Sequence, residues 1–313
     1  MSKPRVTISY RFTRNDTTGV HCQSALNDVL GEDHVQFIDP DQFALHWDEP
    51  EADLHIAIDD DACWTYPEDW ATPKVVWFID THTNLDMRYD RIDSFDLIYC
   101  AQLRGVVELR ERSDRVPANF RWLPLAANPN MHYHIDSRKE LDWAFVGHAP
   151  RDRWLPTDRA DLLDILKERF PERYFAGTAF FDDMMVIFNA ARVLFNRSII
   201  DDINMRVFET MITGTPLLTN HLPEQFVLFR PNVDYVGYSD ADEMVEKMKW
   251  LLDNPRIAKR IGHEGRSCIL ANHLYRHRMY RILEDTLDFK PDRHYVMPPD
   301  YEEVYREFQQ SAE

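Results

Sequence analysis

The feature that most constrains the fold is a regular alternation of short apolar strands with helical segments along the whole chain. In the first half, the predicted strands are residues 6–10, 35–38, 54–58, 75–79, 95–99 and 121–125. Predicted helices at residues 20–30 and 103–112 lie between them. Continuous apolar runs are typical of parallel strands that are covered on both faces. The pattern therefore predicts an α/β fold built on parallel sheets.

A polar, turn-rich segment at residues 128–138 separates this half from a second series of the same kind. Strands are predicted at residues 143–147, 173–175, 191–195, 216–219 and 235–238, and helices at 159–170, 201–214, 240–253 and 255–286. We therefore predict two Rossmann-like domains, residues 1–138 and 139–290, with a cleft between them. Residues 291–313 form a tail with Pro298 and Pro299 ahead of a short predicted helix at 300–310.

Composition excludes several classes of protein. A formal charge of −18 over 313 residues argues against general nucleic-acid binding, which needs a basic face, and would repel an anionic membrane. The four cysteines are isolated from one another, which fits reduced thiols better than a disulfide framework. We find no apolar core of a signal peptide and no transmembrane segment, so we expect a cytoplasmic protein.

Residues 201–220 form the most distinctive stretch of the second half. The sequence predicts a helix that Asp201 or Asp202 caps and that Gly214 ends, followed by a short buried strand. Its polar residues share one face, and the free backbone N–H groups of its first turn could bind an anion. The alternative is an amphipathic helix in which Asp202 and Arg206 form a weak surface ion pair.

Three loops lie at the predicted carboxyl ends of strands, where open α/β sheets bind ligands. The first contains Asp80 and His82, which could transfer a proton or bind hydroxyl groups, or could belong to a polar surface loop. The second begins with Gly147 and His148, where glycine would let the backbone approach a ligand or would simply form a turn. The third contains Arg197 and leads into residues 201–220.

Motifs of several other chemistries are absent. The sequence has no phosphate-binding loop of the P-loop type, no dinucleotide-binding glycine fingerprint, no nucleophile elbow and no His-Glu-x-x-His pair. The acidic run at residues 59–61 could bind Mg²⁺ or accept a phosphoryl group, but the sequence favours a solvated acidic turn, because no supporting lysine and no single small domain are evident.

Residues 196–283 resemble the C-terminal domain of the spore maturation protein (CgeB-like) glycosyltransferases. The resemblance rests on the run Asp-Ile-Asn-Met-Arg-Val-Phe-Glu at 202–209, on Gly-Thr-Pro-Leu-Leu-Thr-Asn at 214–220 and on His-Leu-Tyr-Arg-His-Arg at 273–278. Weaker matches in the first half are Trp-Phe-Ile-Asp-Thr-His at 77–82 and Trp-Leu-Pro-Leu-Ala at 122–126.

This resemblance implies a GT-B fold, with the tail at 291–313 crossing back to the N-terminal domain and no metal required. Retaining families of that fold carry two acidic residues with seven residues between them, as Asp201 and Glu209 are here. By analogy, Glu209 binds the ribose of a nucleotide-sugar donor and Asp201 lies near its sugar. Those families place an arginine and a lysine on the diphosphate, and this sequence offers Arg206 and Arg197 but no matching lysine.

The resemblance thus implies a metal-independent glycosyltransferase, of the retaining and hexosyl-transferring kind. Arg206 and the turn from Asp202 to Asn204 would hold the diphosphate, and Asp80 and His82 would orient or deprotonate the acceptor hydroxyl. Gly147 and His148 complete the predicted donor site. The donor would be a UDP-, GDP- or dTDP-sugar, and the acceptor a glycan, a glycoprotein or a small molecule. A nucleotide-sugar epimerase and a non-catalytic sugar-nucleotide-binding paralogue remain alternatives.

Overall fold

A computed structural model describes residues 3–45, 48–59, 64–81, 83–114, 119–151, 157–200 and 202–290. Grouped by packing, these residues form two compact units, one up to Leu125 together with the described residues from Tyr275 onward, and the other from Ala126 to Leu274. The domain limits predicted from the sequence, residues 138 and 290, remain predictions of where independent domains end. The tail at 291–313 lies outside the described residues.

The first unit is built on a six-stranded parallel sheet. Its strands are β1 (Val6–Ser9), β2 (Val35–Ile38), β3 (Leu54–Asp59), β4 (Lys74–Phe78), β5 (Leu97–Cys100) and β6 (Phe120–Trp122), in the spatial order β2-β1-β3-β4-β5-β6. Its helices are α1 (Thr18–Leu30), α2 (Leu85–Tyr89), α3 (Leu103–Arg112) and α10 (Tyr275–Leu287). All six residues of β3 are buried, as the continuous apolar run predicted.

Helix α10 belongs to the first unit although it follows the second unit in the sequence. It packs against α1, and the rings of His21 and Tyr275 lie 5.0 Å apart between their centroids. The fully buried Arg278 donates from Nε to the Pro124 carbonyl oxygen (2.6 Å) and from Nη2 to that of Leu125 (2.9 Å). A C-terminal helix therefore does return to the N-terminal unit, as the fold prediction stated.

The second unit contains a five-stranded parallel sheet. Its strands are β7 (Leu141–Val146), β8 (Tyr174–Gly177), β9 (Ala191–Asn196), β10 (Leu217–Asn220) and β11 (Val236–Tyr238), in the spatial order β11-β10-β9-β7-β8. Its helices are α4 (Arg159–Arg169), α5 (Phe181–Ala190), α6 (Met205–Met211), α7 (Pro223–Leu228), α8 (Ala241–Asp253) and α9 (Pro255–Asn272).

The core of this unit lies between the sheet and helices α4, α8 and α9. Apolar residues from the central strands, such as Phe195 and Leu218, pack with Leu163 of α4 and Met244 of α8. Because this packing fixes the strands in a parallel register, the loops that follow β7, β9, β10 and β11 all leave the same edge of the sheet. Among the described helices, none combines the length and the apolar character that a membrane crossing requires.

Candidate functional site

The carboxyl edge of the second sheet holds a buried arginine that joins two of its loops. Arg159, the first residue of α4, is 5% exposed. Its Nη1 donates to the His148 carbonyl oxygen (2.7 Å), in the loop after β7, and its Nε donates to the Arg197 carbonyl oxygen (2.7 Å), in the loop after β9. Arg159 therefore fixes the backbone at two positions that the sequence analysis selected as candidate donor-binding residues.

Arg197 and Gly147 lie at the same edge. The Arg197 side chain donates from Nε to Asp158 Oδ1 (2.6 Å) and is 18% exposed. It borders a cavity of about 260 Å³ at the ends of β9, β10 and β11, which is lined by Asp158, Leu162, Arg197, Asn220, His221, Tyr238, Ser239, Asp240 and Ala241. Gly147 is half-buried directly after β7, and a Cβ atom there would lie 3.0 Å from the Phe145 ring. His148, the next residue, is exposed.

Helix α6 begins later than the sequence predicted. The residue at its N-cap is Asn204, whose backbone is extended (φ −90°, ψ 164°), so the expectation that Asp201 or Asp202 caps the helix is wrong for Asp202. Asp201 itself lies outside the described residues. Ile203, directly before the cap, is fully buried. The Asn204 Nδ2 lies 3.4 Å from Asn196 Oδ1.

Arg206 and Glu209, for which the sequence predicted separate partners, are paired with each other. Arg206 Nη1 lies 2.7 Å from Glu209 Oε2, and its guanidinium also contacts the Met184 sulfur and the Phe188 ring. Glu209 is 4% exposed. Its other oxygen, Oε1, lies 3.3 Å from Nε2 of the buried His132. Both carboxylate oxygens of Glu209 are therefore engaged by named side chains.

Several further charged side chains lie around this pair. Burial, and after it the charge of Arg206, lowers the pKa of the Arg159 guanidinium to about 10, and Arg197 contributes in the same direction. The buried Asp202 acts oppositely on that pKa. Since a pKa of about 10 still leaves Arg159 protonated at neutral pH, three arginines (Arg159, Arg197 and Arg206) and three carboxylates (Asp158, Asp202 and Glu209) share this edge of the sheet. Such an arrangement suits a ligand that carries several negative charges next to hydroxyl groups.

Asp80 lies in the first unit, in the loop that follows β4. Its carbonyl oxygen accepts hydrogen bonds from the Thr83 backbone N–H and hydroxyl, both at 2.9 Å. Gln102 Oε1 accepts from the Thr81 backbone N–H (3.0 Å) and hydroxyl (2.7 Å), so the loop is tied to the segment after β5. The Asp80 side chain is half-buried, and His82 lies outside the described residues.

The acidic run at the end of β3 has a structural explanation at its first residue. Asp59 is 1% exposed and lies between two arginines, with Arg88 Nε at 3.2 Å and Arg91 Nη2 at 2.8 Å from its Oδ2. A carboxylate that is neutralised by two guanidinium groups has little capacity left for a cation. Residues 60 and 61 lie outside the described residues.

Sequence reasoning missed Arg159 and His132. Arg159 was assigned only to the start of a helix, and His132 only to a polar linker. Neither position carries a local pattern that indicates a site, because the contacts of Arg159 are 11 and 38 residues away in the sequence and Glu209 is 77 residues from His132.

Comparison with known proteins agrees with this architecture. Residues 130–284 match the model of a family described as glycosyl transferase-like. Solved structures with a similar fold include Anabaena HepE in complex with UDP (11% identity, 91% of this chain and 100% of that chain, TM-score 0.61) and sucrose-phosphate synthase from Thermosynechococcus elongatus (12% identity, 98% of both chains, TM-score 0.57). A glycosyltransferase from Rickettsia africae is also similar (9% identity, 92% and 99% of the two chains, TM-score 0.64).

None of the curated proteins compared with the chain matches it significantly. The structural matches, at identities of 9% to 12%, establish the fold, and the narrower resemblance to CgeB-like proteins remains a prediction. The chain thus has the GT-B fold of glycosyltransferases, and its residues 130–284 match the glycosyl transferase-like family.

Proposed function

We propose that this protein is a glycosyltransferase that moves a hexosyl group from a nucleotide-diphosphate sugar to an acceptor hydroxyl. In this reaction the bond between the anomeric carbon and the β-phosphate oxygen breaks, and a new bond forms between the anomeric carbon and the acceptor oxygen. The acceptor hydroxyl loses its proton to a base, and the nucleoside diphosphate leaves with the electron pair of the broken bond.

The observation that carries the proposal is the Arg206–Glu209 pair beside the buried Arg159, at the carboxyl edge of a parallel sheet. Guanidinium groups bind phosphate oxygens strongly, and they stabilise the charge that grows on a diphosphate leaving group. A carboxylate is a hydrogen-bond acceptor for hydroxyl groups. The two residue types therefore match the two polar parts of a nucleoside diphosphate.

Donor binding requires these partners to exchange. Without a ligand, the Arg206 guanidinium lies on Glu209 Oε2 at 2.7 Å and its side chain is 24% exposed, so it can turn toward solvent. A diphosphate offers Arg206 a partner with more negative charge than a single carboxylate. Arg206 then moves to the diphosphate, and Glu209 Oε2 becomes available to a ribose hydroxyl.

We further propose UDP-glucose, or a related UDP-hexose, as the donor. The support is that crystals of Anabaena HepE, which has a similar fold, contain UDP or UDP-glucose. Transfer without a metal ion and with retention of the anomeric configuration follow from the family resemblance, in which an arginine and a lysine supply the positive charge on the diphosphate. In this chain we assign that charge to Arg206 and Arg197. The acceptor class and the cytoplasmic location likewise remain predictions from the sequence.

Replacement of Arg206 tests the donor site. We expect Arg206→Ala to weaken UDP binding by about 10- to 100-fold, because it removes a charge-assisted contact worth roughly 1.5–3 kcal/mol. Isothermal titration calorimetry with UDP and UDP-glucose measures this directly. Arg260→Ala is the matched control, because Arg260 is an exposed arginine of α9. Unchanged UDP affinity in Arg206→Ala would refute the assignment of Arg206 to the diphosphate.

Product analysis separates the proposed reaction from its alternatives. A transferase releases UDP from UDP-glucose in proportion to the sugar that appears on an added acceptor. An epimerase converts the sugar nucleotide with no acceptor present, and a non-catalytic paralogue binds UDP-glucose and leaves it intact. Either of the last two results would replace the proposed function with the corresponding alternative.

A further inference from the structure

His132 stands in direct contact with the carboxylate that the proposed function assigns to the donor ribose. It is 2% exposed, and its Nε2 lies 3.3 Å from Glu209 Oε1. The residue belongs to the segment between β6 and β7, which the sequence analysis treated only as a linker. Nothing in the proposed roles of Arg206 and Glu209 requires a histidine at this position, so its contact needs its own explanation.

The hydrogen bonds around His132 identify which ring nitrogen carries the proton. The backbone N–H of Asn128 donates to His132 Nδ1 at 3.1 Å, so Nδ1 is an acceptor. In the neutral imidazole the proton is then on Nε2, the ring nitrogen that faces Glu209 Oε1 at 3.3 Å. The ring is therefore oriented by two contacts: Nδ1 accepts from the Asn128 backbone, and Nε2 faces the Glu209 carboxylate.

The turn that carries His132 is itself rigidly built. The His132 backbone N–H donates to the Asn128 carbonyl oxygen at 2.7 Å, and the Asn130 backbone N–H donates to Asn128 Oδ1 at 3.0 Å. These hydrogen bonds form a tight turn at residues 128–132, so the backbone fixes the position of the imidazole. A buried donor on a rigid turn can fix the plane of the carboxylate that it contacts.

We propose that His132 is a positioning residue of the donor site, which holds Glu209 Oε1 so that Oε2 is presented to the ribose when Arg206 leaves it. This inference rests on the proposed function, because it assigns His132 a role only through the contact of Glu209 with ribose. In this arrangement each oxygen of the carboxylate has one task. His132 keeps Oε1 throughout, and Oε2 passes from Arg206 to a ribose hydroxyl.

Two amide substitutions separate the two contacts of the imidazole, with the Asn128 N–H and with Glu209 Oε1. His132→Asn retains a polar atom near the position of Nδ1, within reach of the Asn128 N–H, but is too short to reach Glu209. His132→Gln is one methylene longer and places an amide N–H near the position of Nε2. The measurement is the ratio of the dissociation constants of 2′-deoxy-UDP or 3′-deoxy-UDP to that of UDP, obtained by calorimetry.

We expect the wild-type protein to bind UDP at least about tenfold more tightly than one of the two deoxy analogues, because a hydrogen bond to a charged group is lost. In His132→Asn that ratio should fall at least about threefold, and in His132→Gln it should return to within about twofold of wild type. A role in folding alone would weaken UDP and its deoxy analogues equally and leave the ratio unchanged. The ratio therefore reports the hydrogen bond between the protein and the ribose, and not the general stability of the protein.

His134→Phe is the matched control, because the His134 ring contacts the Thr213 carbonyl oxygen (2.6 Å) and not Glu209. It should keep the wild-type ratio. His132→Phe, which removes both polar contacts at similar volume, replaces His132→Asn if urea unfolding shows that the latter does not fold. An unchanged ratio in folded His132→Asn, or in His132→Phe where that variant replaces it, would overturn the inference while leaving the proposed function intact.

The remaining outcomes are equally decisive. If wild-type protein binds none of UDP, GDP and dTDP, the proposed function itself is refuted, and the role of His132 falls with it. If it binds UDP but does not distinguish the deoxy analogues, Glu209 does not hold the ribose, and the inference is overturned on that ground.

Discussion

Arg159 shows why single residues of this site escape sequence analysis. A buried guanidinium is stable only where its donors are satisfied, and here they meet the carbonyl oxygens of His148 and Arg197. Those carbonyl groups belong to loops that follow different strands, so the contact exists only after the sheet has formed. From the sequence, Arg159 is indistinguishable from an exposed arginine in the first turn of a helix.

Arg206 pairs with Glu209, three positions later, and not with Asp202, four positions earlier, which the sequence analysis considered. An ion pair between Asp202 and Arg206 presumed that both residues lie on one helix, four positions apart. Because α6 begins at Met205, Asp202 precedes the helix and that spacing rule does not apply. Arg206 and Glu209 both lie on the helix, three positions apart, and this is the pair that the structure contains.

Asp80 provides a test of the acceptor side of the proposed reaction. We expect Asp80→Asn to reduce the rate of sugar transfer by about 100-fold or more, since an amide cannot take the proton of the acceptor hydroxyl. The affinity for UDP-glucose should not change, because the substitution preserves shape and Asp80 is assigned no contact with the donor. Initial rates of UDP release and calorimetry measure the two effects separately.

The control for this substitution is Asp28→Asn, which changes an exposed aspartate of α1 in the same unit. Transfer by Asp80→Asn at the rate of this control would exclude Asp80 as the base. A parallel loss of donor affinity would instead indicate that Asp80 contributes to binding.

At the scale of elements, the buried strands were the most predictable part of the fold. Strands β3, β4 and β10 consist of apolar runs that are buried along most of their length, and the prediction placed all three within two residues of their limits. Helix α3 was predicted at its observed bounds, Leu103–Arg112. In these elements the local pattern and the tertiary packing favour the same structure.

The predicted helix at residues 255–286 is interrupted in the structure. Helices α9 and α10 are separated at His273 and Leu274, where the His273 carbonyl oxygen accepts from the Ala127 backbone N–H (3.0 Å) and Leu274 forms a β-bridge with Ala127. Pairing with a segment about 146 positions earlier in the chain competes with the helix. Helical periodicity continues through the break, so no local signal marks it.

Close packing of α9 predicts the effect of one added methyl group. A Cβ atom at Gly262 would lie 2.1 Å from the Gly214 carbonyl oxygen, in the turn between α6 and β10. Gly262→Ala should therefore destabilise the protein by about 1–3 kcal/mol, even though alanine favours helices by about 1 kcal/mol over glycine. Urea unfolding monitored by circular dichroism measures the change.

Gly177→Ala is the control, because a Cβ atom there would make an ordinary contact of 3.5 Å with the Phe175 ring. It should change the free energy of unfolding by much less than Gly262→Ala. Equal stability of the two variants would mean that α9 can shift away from the turn without cost.

At the scale of the whole molecule, the chain returns to its first unit earlier than the sequence indicated. The prediction assigned the return to the tail after Pro298 and Pro299, which lies outside the described residues. Helix α10 makes a return in the structure, through its packing against α1 and the contacts of Arg278. An amphipathic helix can pack against any apolar surface, so its periodicity alone does not identify the unit that receives it.

Arg278 should therefore be essential to the first unit. Arg278→Ala leaves the buried carbonyl groups of Pro124 and Leu125 without these donors, and we expect a loss of about 2–4 kcal/mol in the stability of that unit. Hydrogen exchange followed by mass spectrometry should show faster exchange in α1 and α10, with a much smaller change in strands β7 to β11.

The matched control is Arg276→Ala, an exposed arginine two positions earlier on the same helix, which should leave exchange unchanged. If Arg278→Ala exchanged like this control, the bonds to Pro124 and Leu125 would contribute little, and apolar packing alone would hold α10. If exchange rose equally in both units, the two would unfold as one cooperative body, and the return of α10 would stabilise the entire chain. The localised pattern is expected because Pro124 and Leu125, whose carbonyl oxygens accept from Arg278, both belong to the first unit.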